Sequence, residues 1–241
     1  MDFTDNTKQK VEALSNMDYI YKITSDFSYL NSLNHDSSGI VMEATVIYIE
    51  IRNLEFLLKT GKRLASRIYK MYYQALLDVV ENTGGTLNCF TPDSFLMIYP
   101  KSQHDTSYVV DIAIKTADML SVTLKDAFEK HTHVNFAIGI DKGNILGTKC
   151  LSDGQNEHIS WFGTPIKKAI AISKQCTRPF FVGISGTVYE HLDDNLRTTT
   201  RRILGIKKHI EIWSRISYQY ENIKKHLYQT NIHKSFSEEN E

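Results

Sequence analysis

Apolar residues fall into two rhythms along this chain. Residues 44–53 (ATVIYIEIRN) form an almost unbroken apolar and β-branched run holding one carboxylate, Glu50. Such a run predicts a buried strand. Period-2 alternation puts Val46, Tyr48 and Glu50 on one face and Ile47, Ile49 and Ile51 on the other, with Glu50 near the strand's end. From 54 to 82 the spacing changes. Leu54, Leu57, Leu58, Leu64, Ile68, Met71, Tyr72, Ala75, Leu76 and Val79 recur at three- and four-residue steps, which predicts a long helix interrupted near Thr60-Gly61 and stopped by Gly84-Gly85. Residues 86–90 and 94–99 read as two short strands joined by Thr91-Pro92-Asp93. The proline pre-sets φ for the first central turn position, and Asp93 projects from the tip. A second helix over 105–130 and a strand over 133–140 follow. Strand, long helix, hairpin, helix and strand make the βαββαβ plan of ferredoxin-like and palm domains, an α+β class whose first strand lies beside the hairpin. Glu50 and Asp93 would then face each other.

The flanks are less regular. Residues 1–40 hold two modest apolar patterns, 11–23 and 27–33, before the polar NHDSSG, and read as a short helical lead-in and a loop. Between 141 and 162 the pattern fits a hairpin and a strand, ISWF; a helix over 165–175, a strand over 180–184 and a short helix over 186–192 follow. The glycines of GIDKGNILG lack phosphate-loop spacing and read as turns. Residues 197–204 and 209–217 alternate as a hairpin around Gly205, and the polar tail from Tyr218, ending SFSEENE, is predicted to be helical and then frayed. The resulting organisation is a lead-in (1–40), one main domain (41–217) and a polar tail (218–241).

Composition narrows the function. With 41% hydrophobic residues in 241, the chain can bury one good core. A formal net charge of +0 argues against a globally basic nucleic-acid binder. The opening MDFTDNTKQK lacks the apolar core of a signal peptide, and no long uncharged apolar run occurs elsewhere. The expectation is a soluble cytoplasmic protein without a membrane partner. Cys89, Cys150 and Cys176 are widely spaced with no CxxC pair, so they predict reduced thiols rather than a disulfide framework or thiolate zinc site.

Residues 44–192 resemble a class III nucleotide cyclase catalytic domain, in which a strand ending in a metal-binding Asp precedes a helix, a Gly-Gly and a hairpin carrying Gly-Asp. Glu50 falls at the first Asp and Asp93 at the second. Among class III branches the chain is most similar to the pyrimidine cyclases of Pycsar-type antiphage systems, through EATVIYIEIRN, AIGIDKGNILGTKC, and HISWFGTPIKKAIAIS followed by FFVGISGTVYEHL. The resemblance implies the class III cyclase fold, a palm core with extra C-terminal strands and helices. It also implies two divalent cations, Mn²⁺ or Mg²⁺, held by Glu50, Asp93 and the Ile51 carbonyl. The implied substrate is a nucleoside triphosphate, UTP or CTP, cyclised at a site shared across a homodimer, and the product would signal to a cyclic-nucleotide-responsive effector in antiphage defence.

Several positions depart from the family pattern. The Asn that orients the ribose from the opposite subunit is Lys167 here, and the cation one helical turn later is Ala171. A displaced cation at Lys167, with Lys174 one turn beyond Ala171, is one reading; a solvated face of Lys167, Lys168 and Lys174 is the other. The base-reading positions are Cys89 and Ser160, neither a purine-selecting charge, and Tyr48 on Glu50's face is either a pocket wall or plain core. Glu50 could equally pair with Arg52 as a strand-end carboxylate, with Asp93 an ordinary turn residue. Two functions stay open: a pyrimidine cyclase, and a cyclase-fold protein that binds nucleotide or regulates a partner without turnover. A polymerase-palm or diguanylate-cyclase relative would show a Gly-Gly-acidic tip, whereas this tip is Thr-Pro-Asp.

Overall fold

In chain order the elements are α1 (Phe3–Ser15), β1 (Ile20–Ile23), a 3₁₀ turn (Leu30–Ser32), β2 (Ser38–Ile51), α2 (Leu54–Thr60), α3 (Lys62–Thr83), β3 (Thr86–Thr91), β4 (Ser94–Pro100), α4 (Thr106–Phe128), β5 (Phe136–Ser152), β6 (Asn156–Phe162), α5 (Thr164–Gln175), β7 (Val182–Ser185), α6 (Gly186–Tyr189), α7 (Asp194–Arg197), β8 (Thr198–Ile203), β9 (Ile206–Glu211), β10 (Ser214–Tyr220) and β11 (Ile223–Thr230). The structure, a computed structural model, describes residues 3–33, 37–91, 93–128, 135–152, 156–203 and 206–234.

The main sheet runs β10-β11-β7-β5-β2-β4-β3, with β1 beside β2 and β6 beside β5; β8 and β9 form a separate ribbon. β2 is antiparallel to both β4 and β5, so β5-β2-β4-β3 with its two helical crossovers is the expected ferredoxin-like core. Its two faces are covered differently. Ile47, Ile49, Ile51, Phe95, Met97, Ile138 and Ile140 pack under α3 and α4 through Ile68, Tyr72, Leu76, Val109 and Ala113. Val46, Tyr48, Leu96 and Ile98 lie on the opposite face with Trp161 and with Ile166 and Ala169 of α5. The helix break falls between α2 and α3, and α3 ends where Gly84 takes the left-handed conformation (φ 74°), its N–H donating to the Val80 carbonyl.

α5 lies directly on the strand backbone. A Cβ at Gly139 would sit 2.0 Å from the Ala169 carbonyl oxygen, and one at Gly147 would sit 2.7 Å from the Trp161 ring. Gly139, Gly143 and Gly147 all belong to β5, which corrects their reading as turns: at 139 and 147 glycine permits a neighbour's close approach along a continuous strand.

Other boundaries also move. Residues 20–23 form a strand parallel to β2, which itself begins at Ser38, so a lead-in ending at 40 cuts into β2. The first C-terminal ribbon closes earlier than expected. After β9 the chain breaks at Ile212 and Trp213, whose buried Nε1–H donates to the Leu196 carbonyl at 2.6 Å, and β10 starts afresh. The tail is not helical from Tyr218. β10 and β11 form an antiparallel hairpin on the edge of β7, and a boundary at 217/218 falls inside β10. Glu221 and Asn222, both at positive φ (47° and 63°), make its two-residue turn, the geometry that suits strand twist. Tyr220, Ile223 and Leu227 carry helix-like spacing by coincidence, and alternation instead sends Tyr218, Tyr220 and Leu227 inward. Residues 235–241 lie outside the described set. The described chain ends against α4, where Lys234 Nζ meets Asp111 Oδ1 at 2.8 Å and His233 Nδ1 meets Asp118 Oδ1 at 2.7 Å. Among the described residues no helix is long and apolar enough to cross a membrane.

Candidate metal and nucleotide site

Glu50 occupies the end of β2, paired with Ser94 of β4 on one side and Ala137 of β5 on the other. The next residue, Ile51, donates its N–H to the Asp93 carbonyl at 2.7 Å, which fixes the hairpin tip beside the strand end. A strand residue directs its N–H and C=O towards the same neighbour, so the Ile51 carbonyl is aimed at the tip as well. Tyr48 shares Glu50's face and feels both acids. Burial first, then the Glu50 and Asp93 charges, hold its phenol above the ordinary value against a lowering hydrogen bond with Ser94.

Arg52 is used elsewhere. Its guanidinium donates to the Ser173 and Cys176 carbonyls and so closes the C-terminal end of α5. Among the described residues Glu50 has no ion-pair partner, and the alternative Glu50–Arg52 pair does not form. Two uncompensated carboxylates and a carbonyl at one strand end are hard oxygen donors suited to Mg²⁺ or Mn²⁺, which keep water and phosphate as their remaining ligands. Among the described residues no three His, Cys, Asp or Glu side chains converge, so the third protein donor would be the main-chain oxygen.

A hydroxyl chain runs beneath the tip. Thr91 Oγ1 donates to Asp93 Oδ1 at 2.5 Å and lies 2.6 Å from Ser94 Oγ; Ser94 is fully buried and bonded to Tyr48. Neither Thr91 nor Ser94 stood out in the sequence, because single hydroxyls within a strand carry no pattern.

The two positions expected to read the base lie on β3 and β6. Ser160 is half-buried on β6 opposite Thr148. Cys89 stands opposite Phe95 in the β3–β4 register, and its side chain lies outside the described set. The residue joining the two strands is Asn88, whose Nδ2 donates to the Ile159 carbonyl at 3.0 Å. Asn88 pairs with Leu96, which pairs with Tyr48, so alternation across the hairpin places Asn88 and Tyr48 in one row. Carried one strand further, the alternation reading would have found it.

On α5, Lys167 and Lys174 are exposed, while Ala171 packs on the cluster containing Tyr218, Tyr220 and Leu227. Lys168 points elsewhere, its Nζ 3.6 Å from Asp141 Oδ2. Asp141 is fully buried and accepts from Ser185 Oγ at 2.5 Å, and among the described residues its Oδ2 has no hydrogen-bond partner. Burial pushes this carboxyl above the ordinary range, against the Ser185 bond and the Lys168 charge. Sequence reading missed it.

Within one chain Lys167 lies near the start of α5, where Pro165 packs at Gly143, whereas Glu50 pairs with Ala137, six residues nearer the start of β5.

No family model matches the chain. Among solved structures it is similar to a class III adenylyl cyclase-like ATP-binding protein from Pseudomonas aeruginosa, at TM-score 0.66 and 16% identity over 79% of this chain and 43% of that one. It is likewise similar to the adenylyl cyclase CyaB from P. aeruginosa, at TM-score 0.64 and 14% identity over 80% and 95% of the two chains, and to the guanylyl cyclase Cya2, at TM-score 0.62 and 14% identity over 80% and 93%. The fold is that of the class III nucleotide cyclase domain. In sequence the chain resembles a curated uridylate cyclase from Burkholderia cepacia, 22% identical over 170 residues, which is 68% of this chain and 72% of that one.

Proposed function

We propose that the protein is a homodimeric pyrimidine nucleotide cyclase: the 3′-oxygen of UTP or CTP attacks the α-phosphorus, the bond to the β-phosphate breaks, and pyrophosphate leaves. The observation that carries this is the seating of Asp93 beside Ile51 at the end of β2, with Glu50 on the adjoining position. Two divalent cations, Mn²⁺ or Mg²⁺, would lower the pKa of the 3′-hydroxyl and balance the triphosphate. Glu50, Asp93 and the Ile51 carbonyl would hold them, while Tyr48, Cys89 and Ser160 would border the base. Lys167 would supply phosphate-directed charge from the second subunit, as the class III resemblance implies for its position on α5. Pyrimidine selection is supported by likeness to the uridylate cyclase; an antiphage signal to a cyclic-nucleotide-responsive effector is what the Pycsar-type resemblance of the sequence implies.

A second reading has its own support. Lys167 is exposed, and Ala171, at the family's cation position, is packed into an apolar cluster. One structural neighbour is itself described as an ATP-binding protein that is cyclase-like. A nucleotide-binding protein without turnover would look the same at these positions.

Incubating purified protein with Mn²⁺ and each of the four ribonucleoside triphosphates separates the two. The cyclase reading expects a 3′,5′-cyclic pyrimidine product. Lys167→Ala should then lower kcat by roughly 10²-fold while changing nucleotide binding much less, as for a transition-state contact. Saturable metal-dependent binding with no product from any nucleotide would favour the second reading.

A further inference from the structure

The hydroxyls beneath the hairpin tip have a direction that their chemistry fixes. Thr91 has one hydroxyl proton, and it goes to Asp93 Oδ1 at 2.5 Å. In its 2.6 Å contact with Ser94 Oγ, Thr91 can therefore only accept, so Ser94 donates. Ser94, Thr91 and Asp93 thus form one chain in which every donor points towards the carboxylate. Such chains polarise each member in turn and strengthen the terminal bond.

Its anchorage differs along its length. Ser94 is fully buried at the start of β4, whereas Thr91 and Asp93 flank the tip. A turn residue alone would let Asp93 rotate freely about its side-chain torsions. A chain rooted in the sheet core fixes one oxygen and leaves Oδ2 as the oxygen available for a ligand.

We infer that Ser94 and Thr91 form a positioning relay that presets the Asp93 carboxylate for a divalent cation, with Oδ1 held by protein and Oδ2 presented outward. The inference deepens the cyclase reading and rests on Asp93 and Glu50 being cation ligands. Thr91 and Ser94 are positioning residues here; they reach the cation only through Asp93.

The test is Mn²⁺ binding to the full chain, followed by loss of the free-ion electron paramagnetic resonance signal without nucleotide, alongside thermal melts of each variant. Asp93→Asn and Glu50→Gln serve as controls and should each weaken binding at least tenfold. Thr91→Val, which keeps shape and removes the proton, should weaken it about five- to tenfold, and Thr91→Ser should restore it to within about twofold. Ser94→Ala, which leaves the Thr91–Asp93 bond in place, should cost about two- to threefold alone and nothing further in the Thr91→Val background, since the broken chain no longer transmits it. If the controls weaken binding while Thr91→Val and Ser94→Ala bind Mn²⁺ like the parent, the relay is overturned and the metal reading stands. If Asp93→Asn and Glu50→Gln bind like the parent, both fall together.

Discussion

Arg52 ties the strand end beside Glu50 to the far end of the helix that bears Lys167, through the Ser173 and Cys176 carbonyls. Arg52→Ala should lower stability by about 1.5–3 kcal/mol, the worth of charged hydrogen bonds at partly buried acceptors. Arg52→Lys, lacking the planar fork, should recover only part of it. Urea midpoints measure this, and a midpoint unchanged in Arg52→Ala would show that solvent replaces the fork. Asp141 gives a second test at this scale. Its burial-raised carboxyl binds more protons in the folded than in the unfolded state at pH values above the ordinary carboxylate range. Stability should therefore fall as pH rises through the window between the ordinary and the raised value. Asp141→Asn keeps a partner for Ser185 and removes the charge, so urea midpoints taken from about pH 4 to 7 should lose that slope; a slope identical to the parent's would assign the dependence to another group. Nearby, burial pushes the Cys176 thiol up to about 12, with Arg52 pulling the other way, so alkylating reagents at neutral pH should label half-exposed Cys150 first.

Among the elements, Gly139 carries the largest steric demand. Gly139→Ala would place a methyl 2.0 Å from the Ala169 oxygen and should cost about 3 kcal/mol or more in a denaturant melt, with α5 forced off the sheet; a loss under about 1 kcal/mol would mean that the helix lifts easily. Glu221 sits at φ 47° in the β10–β11 turn, a conformation that Asn tolerates better than Glu. Glu221→Asn should raise stability by about 0.5 kcal/mol. These two cases also mark what was legible in the sequence. The α2–α3 break, the β3–β4 hairpin and α5 were readable because each had an unmistakable period and a Gly or Pro at its boundary. The β10–β11 hairpin was not, since its turn is Glu-Asn without glycine and its apolar residues imitate a helix. β1 was hidden because Ile20 and Ile23 are exposed, so burial imposed no alternation on it. At the site, a lone carboxylate in an apolar strand announced Glu50, and a turn announced Asp93. Asn88, Thr91, Ser94 and Asp141 acquire meaning only from the strands lying next to them.

At the scale of the molecule, the proposed two-chain site predicts complementation. Mixed and reassembled, Glu50→Gln and Lys167→Ala proteins, each impaired alone, should give about a quarter of parental activity, because half the dimers are mixed and each mixed dimer has one intact site. Sedimentation at micromolar concentration should show the dimer. Failure to complement in a mixture shown to exchange subunits would put Lys167 outside the partner's site.

The seating of α5 has a consequence for how such a protein changes over generations. Its inner face, lodged on Gly139 and Gly183 through Ala169, Ile172 and Ser173, fixes the helix without help from exposed Lys167 and Lys174. Outward positions can therefore drift at little thermodynamic cost, and a lineage could cross between catalyst and nucleotide sensor by one or two substitutions while the scaffold stays intact. Turnover would then be a trait that is easily lost and easily regained, and the identity of residue 167 would record which side of that divide a given descendant occupies.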